Sequence, residues 1–333
     1  MIFVTGGTGV LGAQLLYDLT QMGSEIRALY RSEQKLDQTR NFFRHFNPDN
    51  WEVQFTAITW VKGDILDLPL LEEQITGCSH VYHCAAMVSF HKSDFNRMIQ
   101  INRHGTANVV NVALGLKVTK LCYVSSTAAI GGSDGSVITE DTKWKMEPTT
   151  TGYSISKYSA EKEVWRGIEE GLDAVMINPC VILGAGNWND SSLTLFNTLK
   201  KGLKHYPPGS NATVDARDVS SSMIQLMDSD ISGERYLCIG SNQSFKVLMD
   251  EIATQLKVKA PRKLVKRWMV NVARRLLRFV SRFTGKKPSV TKETVEALFS
   301  HRSYDSSKLR KELNCNLYGL SDMVAHGIKN RLQ

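Results

Sequence analysis

The sequence predicts an α/β fold, a parallel sheet doubly wound by helices, with a smaller C-terminal region. Three observations predict it. The chain opens on a strand, a glycine-rich turn and a helix, in that order. Short apolar runs rich in β-formers then alternate with segments of helical period, the pattern of parallel strands joined by crossover helices. Beyond Val181 the alternation weakens, which marks a second, smaller region.

At 333 residues the chain is long enough for one large or two interlocked domains. No apolar run reaches the length of a membrane span, and Met1 leads directly into the first strand, so no secretory leader is expected. Six scattered cysteines (Cys78, Cys84, Cys122, Cys180, Cys238, Cys315) lack a C-x-x-C pair, which suits reduced thiols in a cytoplasmic protein better than disulfides or zinc.

Ile2, Phe3 and Val4 form the first, buried strand. The turn is Thr5-Gly6-Gly7-Thr8-Gly9-Val10-Leu11-Gly12, which satisfies both G-x-G-x-x-G and T-G-x-x-G-x-x-G. Leu11, Leu15, Leu16 and Leu19 follow at helical spacing. Glycine lets backbone approach a ligand closely and lets the helix pack tightly on the sheet. The free N–H groups and positive dipole end of that helix then face a phosphate. This opening is that of a Rossmann-type dinucleotide site.

Glu25 to Tyr30 reads as the second strand and ends in Arg31. An acid there would hold the ribose hydroxyls of NAD. An arginine instead stacks on adenine and pairs with a 2′-phosphate, which favours NADP(H) and leaves NAD(H) open. Lys35 is placed to assist, and Glu33 is near enough to act as a displaced ribose ligand. Thr59 to Lys62 is a strand; after Gly63, Asp64 and Ile65 either flank the adenine or make a simple turn. His80 to Ala86 is the next strand, ending in Ala85 and Ala86 where backbone must pass the cofactor. His80 and His83 lack a third ligand nearby, so no metal is expected. Asn96 to Leu114 is helical, with Ile99, Val109, Val110 and Ala113 on its apolar face and Asn102 within it. Lys120 to Val124 is a strand running into Ser125-Ser126-Thr127, and Asp173 to Ile177 another, ending at Asn178-Pro179. Tyr236 to Ile239 is expected to return to the sheet or its edge.

The chemistry is expected from Ser126, Tyr153 and Lys157. Tyr153-Ser154-Ile155-Ser156-Lys157 is Y-x-x-x-K, with Ala160, Val164 and Ile168 continuing a helix. Residues four apart share a helix face, so the ammonium is expected beside the phenol. A free phenol has a pKa near 10 and needs that help to exchange a proton at neutral pH. A serine at a neighbouring strand end hydrogen-bonds the carbonyl or hydroxyl being transformed. Lys157 is also placed for the ribose of the nicotinamide half.

These residues carry a resemblance. The chain resembles the extended short-chain dehydrogenase/reductase family, also called the NAD-dependent epimerase/dehydratase family. The matching pieces are TGGTGVLG at Thr5, GDI at Gly63, HCAA at His83, NRHGTANVV at Asn102, VSSTAAIGG at Val124, YSISK at Tyr153, NPCVILGAGN at Asn178 and VDARDVS at Val214. They run over nearly the whole chain. The second strand looks most like those of the dihydroflavonol reductase and 3β-hydroxysteroid dehydrogenase branches; in the reductase branch an arginine matching Arg31 contacts the NADP phosphate, and a further lysine falls near Gln38 here. The resemblance implies Ser126 as the carbonyl-polarising serine, Tyr153 as general acid/base and Lys157 as its activator. It implies cofactor contacts at Thr5 to Gly12, Arg31, Asp64, Ile65, Ala85, Ala86, Tyr153, Lys157 and Pro179. It also implies a homodimer through a pair of helices on each subunit. Two departures count against a nucleotide-sugar substrate: Asn178 stands where the family has arginine before proline, and Ile130 where sugar-nucleotide enzymes have an aromatic. Substrate contacts are expected from Met87 to Phe90 and from Asn178 to Trp188, with Trp188 and Phe196 either walling an apolar pocket or lying in the core.

The expected domains are 1–180, binding NAD(P), with a returning segment near 212–240, and 181–333, mainly binding substrate. The expected reaction is NADPH-dependent reduction of a ketone or aldehyde, or oxidation of the matching secondary alcohol. The alternative is an epimerase or dehydratase with transient hydride transfer to bound NAD, for example on a nucleotide sugar. A non-catalytic nucleotide scaffold would show a degraded turn or triad, and both are intact.

The net charge of +8 belongs to one segment. Lys259 to Lys287 holds eleven lysines and arginines and no acid, leaving 30 basic against 33 acidic residues elsewhere, a net −3. Within it, 262–283 reads as an amphipathic helix. Val265, Trp268, Met269, Val272, Leu276, Phe279, Val280 and Phe283 form one stripe; Lys263, Arg267, Asn271, Arg274, Arg278 and Arg282 form the other. It reads either as a structural helix over the substrate site with a solvated basic face, or as a helix adsorbing to an anionic membrane surface and reaching a lipophilic substrate. No base-reading motif accompanies it, so nucleic acid is not an expected partner.

Overall fold

The computed structural model describes residues 1–132, 135–147, 150–284 and 290–332. Lys286 and Lys287 of the basic segment lie outside the described residues. The first half runs β1 (Ile2–Thr5), α1 (Val10–Gln21), β2 (Ile26–Tyr30), α2 (Glu33–Phe46), β3 (Ile58–Lys62) and β4 (His80–His83). A long helix, α3, follows: α-helical at Phe95–Met98, π-helical at Ile99–His104 and α-helical again at Gly105–Gly115. Then come β5 (Lys120–Val124), α4 (Gly152–Glu169) and β6 (Ala174–Pro179). The remainder includes β7 (Val181–Leu183), β8 (Ser210–Asp215), α5 (Ala216–Met227), β9 (Glu234–Cys238), β10 (Ser241–Ser244), α6 (Arg267–Thr284) and α7 (Lys292–Phe299).

Seven strands form one parallel sheet in the order β9-β6-β5-β4-β1-β2-β3. Successive strand residues point to opposite faces, and both faces are covered, so the strands are apolar almost throughout. Val4, Ala28, Tyr82, Cys122, Val175 and Ile177 pack under α1, α2 and α5. Their neighbours Phe3, Leu29, Val81, Leu121, Tyr123 and Met176 pack under α3 and α4. The chain builds outward from β1 to β3 and then crosses back to β4. That reversal leaves a crevice beyond the C-terminal ends of β1 and β4, where sheets of this kind bind ligands.

β9, over the expected Tyr236 segment, pairs with β6 at the sheet edge. A small second sheet, β10-β8-β7, follows β6 directly. Several elements differ from expectation, most by one or two residues at a boundary. β2 starts at Ile26. β4 stops at His83 because the chain leaves the ladder to pass over the glycine turn, where the Ala85 N–H meets Thr5 Oγ1 at 3.3 Å. α3 takes a π turn where Asn102 reaches across to Met87 and Ser156. α6 starts at Arg267, because Lys263–Leu264 pairs with His205–Tyr206 as a short strand. Trp188 and Phe196 wall no open pocket: they are buried, their rings stack at 5.3 Å, and Trp188 Nε1 donates to the Gly327 carbonyl.

Candidate active site

The turn between β1 and α1 has no room for side chains on its inner side. Gly6 sits at φ +71°, and a Cβ there would lie 2.6 Å from the Ala85 nitrogen. A Cβ on Gly12 would overlap the Gly6 carbonyl, so α1 is pressed directly onto the turn. Gly9 is different: its missing side chain would meet only the Gly6 oxygen, at 3.5 Å, and otherwise open space. The start of α1 has no capping side chain and no acid in its first turn. Its N–H groups and dipole end are left for an anion from outside. The cradle at Thr5, Gly6, Gly7, Thr8, Gly9, Val10, Leu11 and Gly12 fits a pyrophosphate. Leu11 turns its side chain into the core, so only its backbone faces that cradle.

The rim is set by β2, β3 and β4. Arg31 extends from β2 with its side chain 56% exposed, 3.7 Å from Asp64 beyond β3. Glu33 pairs with Lys62 at 3.0 Å and accepts from the Tyr30 hydroxyl at 3.2 Å. Lys35 does not stand beside Arg31: its ammonium pairs with Asp190 at 2.6 Å. Asp190 arrives from the C-terminal half, which is why local sequence could not reveal it. Ile65 is buried against Gly105, and its carbonyl accepts from Asn108. Ala85 and the exposed Ala86 border the crevice, while Pro179 closes β6 in a buried position.

Ser126 lies just past β5 in extended conformation, and its Oγ accepts from the Ala128 N–H at 3.2 Å. Tyr153 occupies the first turn of α4, whose start is capped by Thr151. Ser154 Oγ donates to the Ala128 carbonyl at 2.5 Å, which brings the start of α4 to the Ser126 turn; burial raises the Tyr153 pKa, and the neighbouring Ser126 hydroxyl opposes that rise. The Phe90 ring stands edge-on to Tyr153 at 6.3 Å.

Lys157 differs from expectation. Its stem runs inward from α4, and its ammonium donates to Tyr123 Oη at 2.7 Å and to the Val124 carbonyl at 2.8 Å. The expected contact with the Tyr153 phenol is not made. Burial lowers the Lys157 pKa to about 7, against the pull of Glu161 and Cys84. The same floor holds His83, which hydrogen-bonds Thr5 Oγ1 at 2.7 Å and Thr106 Oγ1 at 2.9 Å and stacks on Tyr123 at 5.4 Å. Desolvation drives its pKa down to about 3, so it is neutral. His80, on the same strand, meets Ser79 instead.

Sequence reasoning missed what supports Ser126. Glu161, one turn past Lys157 on α4, accepts from Ser125 Oγ at 2.6 Å, from Asn178 Nδ2 at 2.8 Å and from Arg235 of β9 at 2.7 Å. Asn178 also donates to the Ser126 carbonyl at 3.1 Å. Asn178 had stood out only as a departure from a pattern; here it ties β6 to the serine. Asn102, by gripping both backbone groups of Met87, fixes the loop leading to Phe90. The i, i+4 spacing of Lys157 and Glu161 was visible, but their partners on β5, β6 and β9 were not.

A parallel doubly wound sheet, with this turn at its reversal point, defines a dinucleotide-binding α/β protein. The sequence profile of the NAD dependent epimerase/dehydratase family matches residues 2–236, and the chain belongs to that family of extended short-chain dehydrogenases/reductases. It is therefore an enzyme of an NAD(P)-dependent oxidoreductase class. Among its relatives is a Synechocystis sp. protein named provisionally as a dihydroflavonol 4-reductase, 28% identical over 98% of this chain and 93% of that one. Another is Sterol demethylase protein B of Methylococcus capsulatus, 27% identical over 93% of this chain and 92% of that one. The structure of the dTDP-glucose 4,6-dehydratase DesIV from Streptomyces venezuelae, with NAD and TYD bound, shares the fold with a TM-score of 0.74, at 18% identity and over 99% and 97% of the two chains.

Proposed function

We propose that the protein transfers a hydride between NADP(H) and a lipophilic ketone, aldehyde or matching secondary alcohol. The observation that carries the reading is the join between the start of α4, with Tyr153, and the Ser126 turn beside the crevice, where Ser154 Oγ donates to the Ala128 carbonyl at 2.5 Å. NADPH, when bound, supplies the hydride. Tyr153 gives its phenolic proton to the developing alkoxide, and Ser126 holds the reacting oxygen by a hydrogen bond. Lys157, whose ammonium is held by Tyr123 and Val124 on the floor of the site, is the residue for the nicotinamide ribose. Asn178 and Glu161 keep the serine segment in place. Residues beyond 181 serve mainly to hold the substrate, with Met87 to Phe90 bordering it.

Arg31 is the residue for the adenosine 2′-phosphate. Its exposure, and the absence of an acid on β2 at that point, support the choice. The names of two relatives, one for a flavonol reduction and one for a sterol, support a lipophilic carbonyl substrate. The test is titration of NADPH and NADH against wild type and Arg31→Ala. We expect NADPH to bind more tightly to wild type, and the variant to lose about tenfold in NADPH affinity with NADH unchanged. Equal binding of NADH to wild type would sink the phosphate reading and bring forward the epimerase or dehydratase alternative with resident NAD.

A further inference from the structure

Helix α6 turns its apolar side outward. Trp268, Val272, Leu276, Phe279 and Phe283 are each between 45% and 76% exposed. At about 100° per residue the five fall within about 80° of arc, a single stripe along the helix. The side of α6 that meets the protein is another one, carrying the buried Val270 and the half-buried Leu277. The structural reading of this segment required the stripe to be buried, and it is not. The helix is fastened by Arg267, which pairs with Glu296 of α7 at 2.8 Å and lies over the Phe299 ring.

The charge beside the stripe selects the partner. Arg275 and Arg278 lie beyond one edge of it, and Lys259 to Lys287 contains eleven cations and no acid, whereas the rest of the chain is net negative. An apolar stripe edged by cations is what an anionic lipid surface binds, the rings at the depth of the headgroups and the guanidinium groups among the phosphates. No helix among the described residues is long and apolar enough to cross a membrane, so α6 would lie in the surface plane.

α6 also borders a cleft that Phe90 lines. This cleft of about 240 Å³ is lined by Phe90, Lys92, Arg278, Val290 and Lys292. The Phe90 ring stands edge-on to that of Tyr153 at 6.3 Å. We propose that α6 docks the enzyme on anionic bilayers and that the Phe90–Arg278 cleft receives a lipid-dissolved substrate from that side. The substrate part rests on the hydride-transfer reading above; the docking part does not.

The experiment is co-sedimentation of the full chain with phosphatidylcholine vesicles, pure or with about one-third phosphatidylglycerol. Wild type is expected to pellet with the anionic vesicles and to release as salt rises from about 50 to about 500 mM. Leu276→Glu with Phe279→Glu is expected to lower the bound fraction about tenfold or more, while keeping wild-type circular dichroism and cofactor affinity. Brominated-chain lipid is expected to quench wild-type fluorescence more than that of Trp268→Phe. Wild type left in the supernatant at low salt overturns the proposal. So does equal vesicle binding by the double variant. A wild-type dimer that the double variant splits, without vesicle binding, assigns the stripe to a second copy instead. Because vesicle binding and cofactor titration are separate readouts, loss of one reading leaves the other intact.

Discussion

The floor beneath Ser126 and the outer side of α6 break the usual inside-out rule in opposite directions. Under the site, Lys157, Glu161, His83 and Asn178 are buried. Along α6, Trp268, Leu276, Phe279 and Phe283 are exposed. Burying a charge is costly unless it is hydrogen-bonded and paired, and here Lys157 and Glu161 each hold at least two partners. Exposing one apolar side chain is ordinary, but a contiguous stripe is not. The floor is stabilised within the molecule; the stripe is completed only by something outside it. The first region therefore has an energetic penalty for substitution, and the second has almost none until a surface is supplied.

Substitutions sharpen that contrast. Tyr153→Phe removes the proton donor and leaves the packing, so carbonyl reduction is expected to fall about 10²- to 10⁴-fold with unfolding unchanged. A variant retaining most activity in steady-state assays would remove Tyr153 from the chemistry. Glu161→Ala leaves Arg235 without its carboxylate, Ser125 Oγ without its acceptor and Asn178 with the Ser126 carbonyl alone. The expected loss is about 3 kcal/mol in urea unfolding, against under about 1 kcal/mol for breaking the exposed Arg31–Asp64 pair. Comparable losses from the two would erase the distinction between floor and rim.

The third substitution reads the buried ammonium through pH. Lys157 has a folded pKa of about 7, below its unfolded value. Between those two values the unfolded chain holds the proton that the native chain has released. Stability is therefore expected to rise with pH across that window, by at most ~1.4 kcal/mol per pH unit from this group. Lys157→Met is expected to flatten that slope in denaturation series from pH about 7 to about 10. An unchanged slope in the variant would show that the ammonium is solvated in the native state. The smallest effect belongs to α6: Phe279→Glu should alter folding stability by less than about 0.5 kcal/mol, since the ring is 59% exposed. A loss of several kcal/mol in thermal melts would mean that the ring is packed in solution.

Much of the fold was legible in the sequence because its signals are local. The short continuous apolar runs of β1, β5 and β6 are buried on both faces, and the glycine spacing of the turn reports contacts made within seven residues, Gly6 against Gly12. The Thr151 cap and the Tyr153–Lys157 spacing are also local, so their helix could be read directly. Direction and partner were not local. Lys157 shares a helix face with Tyr153, yet its long stem finds Tyr123 and Val124 because burial rewards hydrogen bonds that only β5 offers. Lys35 pairs with Asp190, 155 positions away, and Glu161 with Arg235, 74 away. The sequence by itself determined the parallel doubly wound sheet, the glycine turn at the start of α1, the position of Ser126 just past a strand end and that of Tyr153 and Lys157 on one helix, since periodicity and backbone sterics act over a few residues. Only the tertiary structure decided which charges are buried together and which side of α6 faces out, because burial is a property of the elements that pack against a side chain.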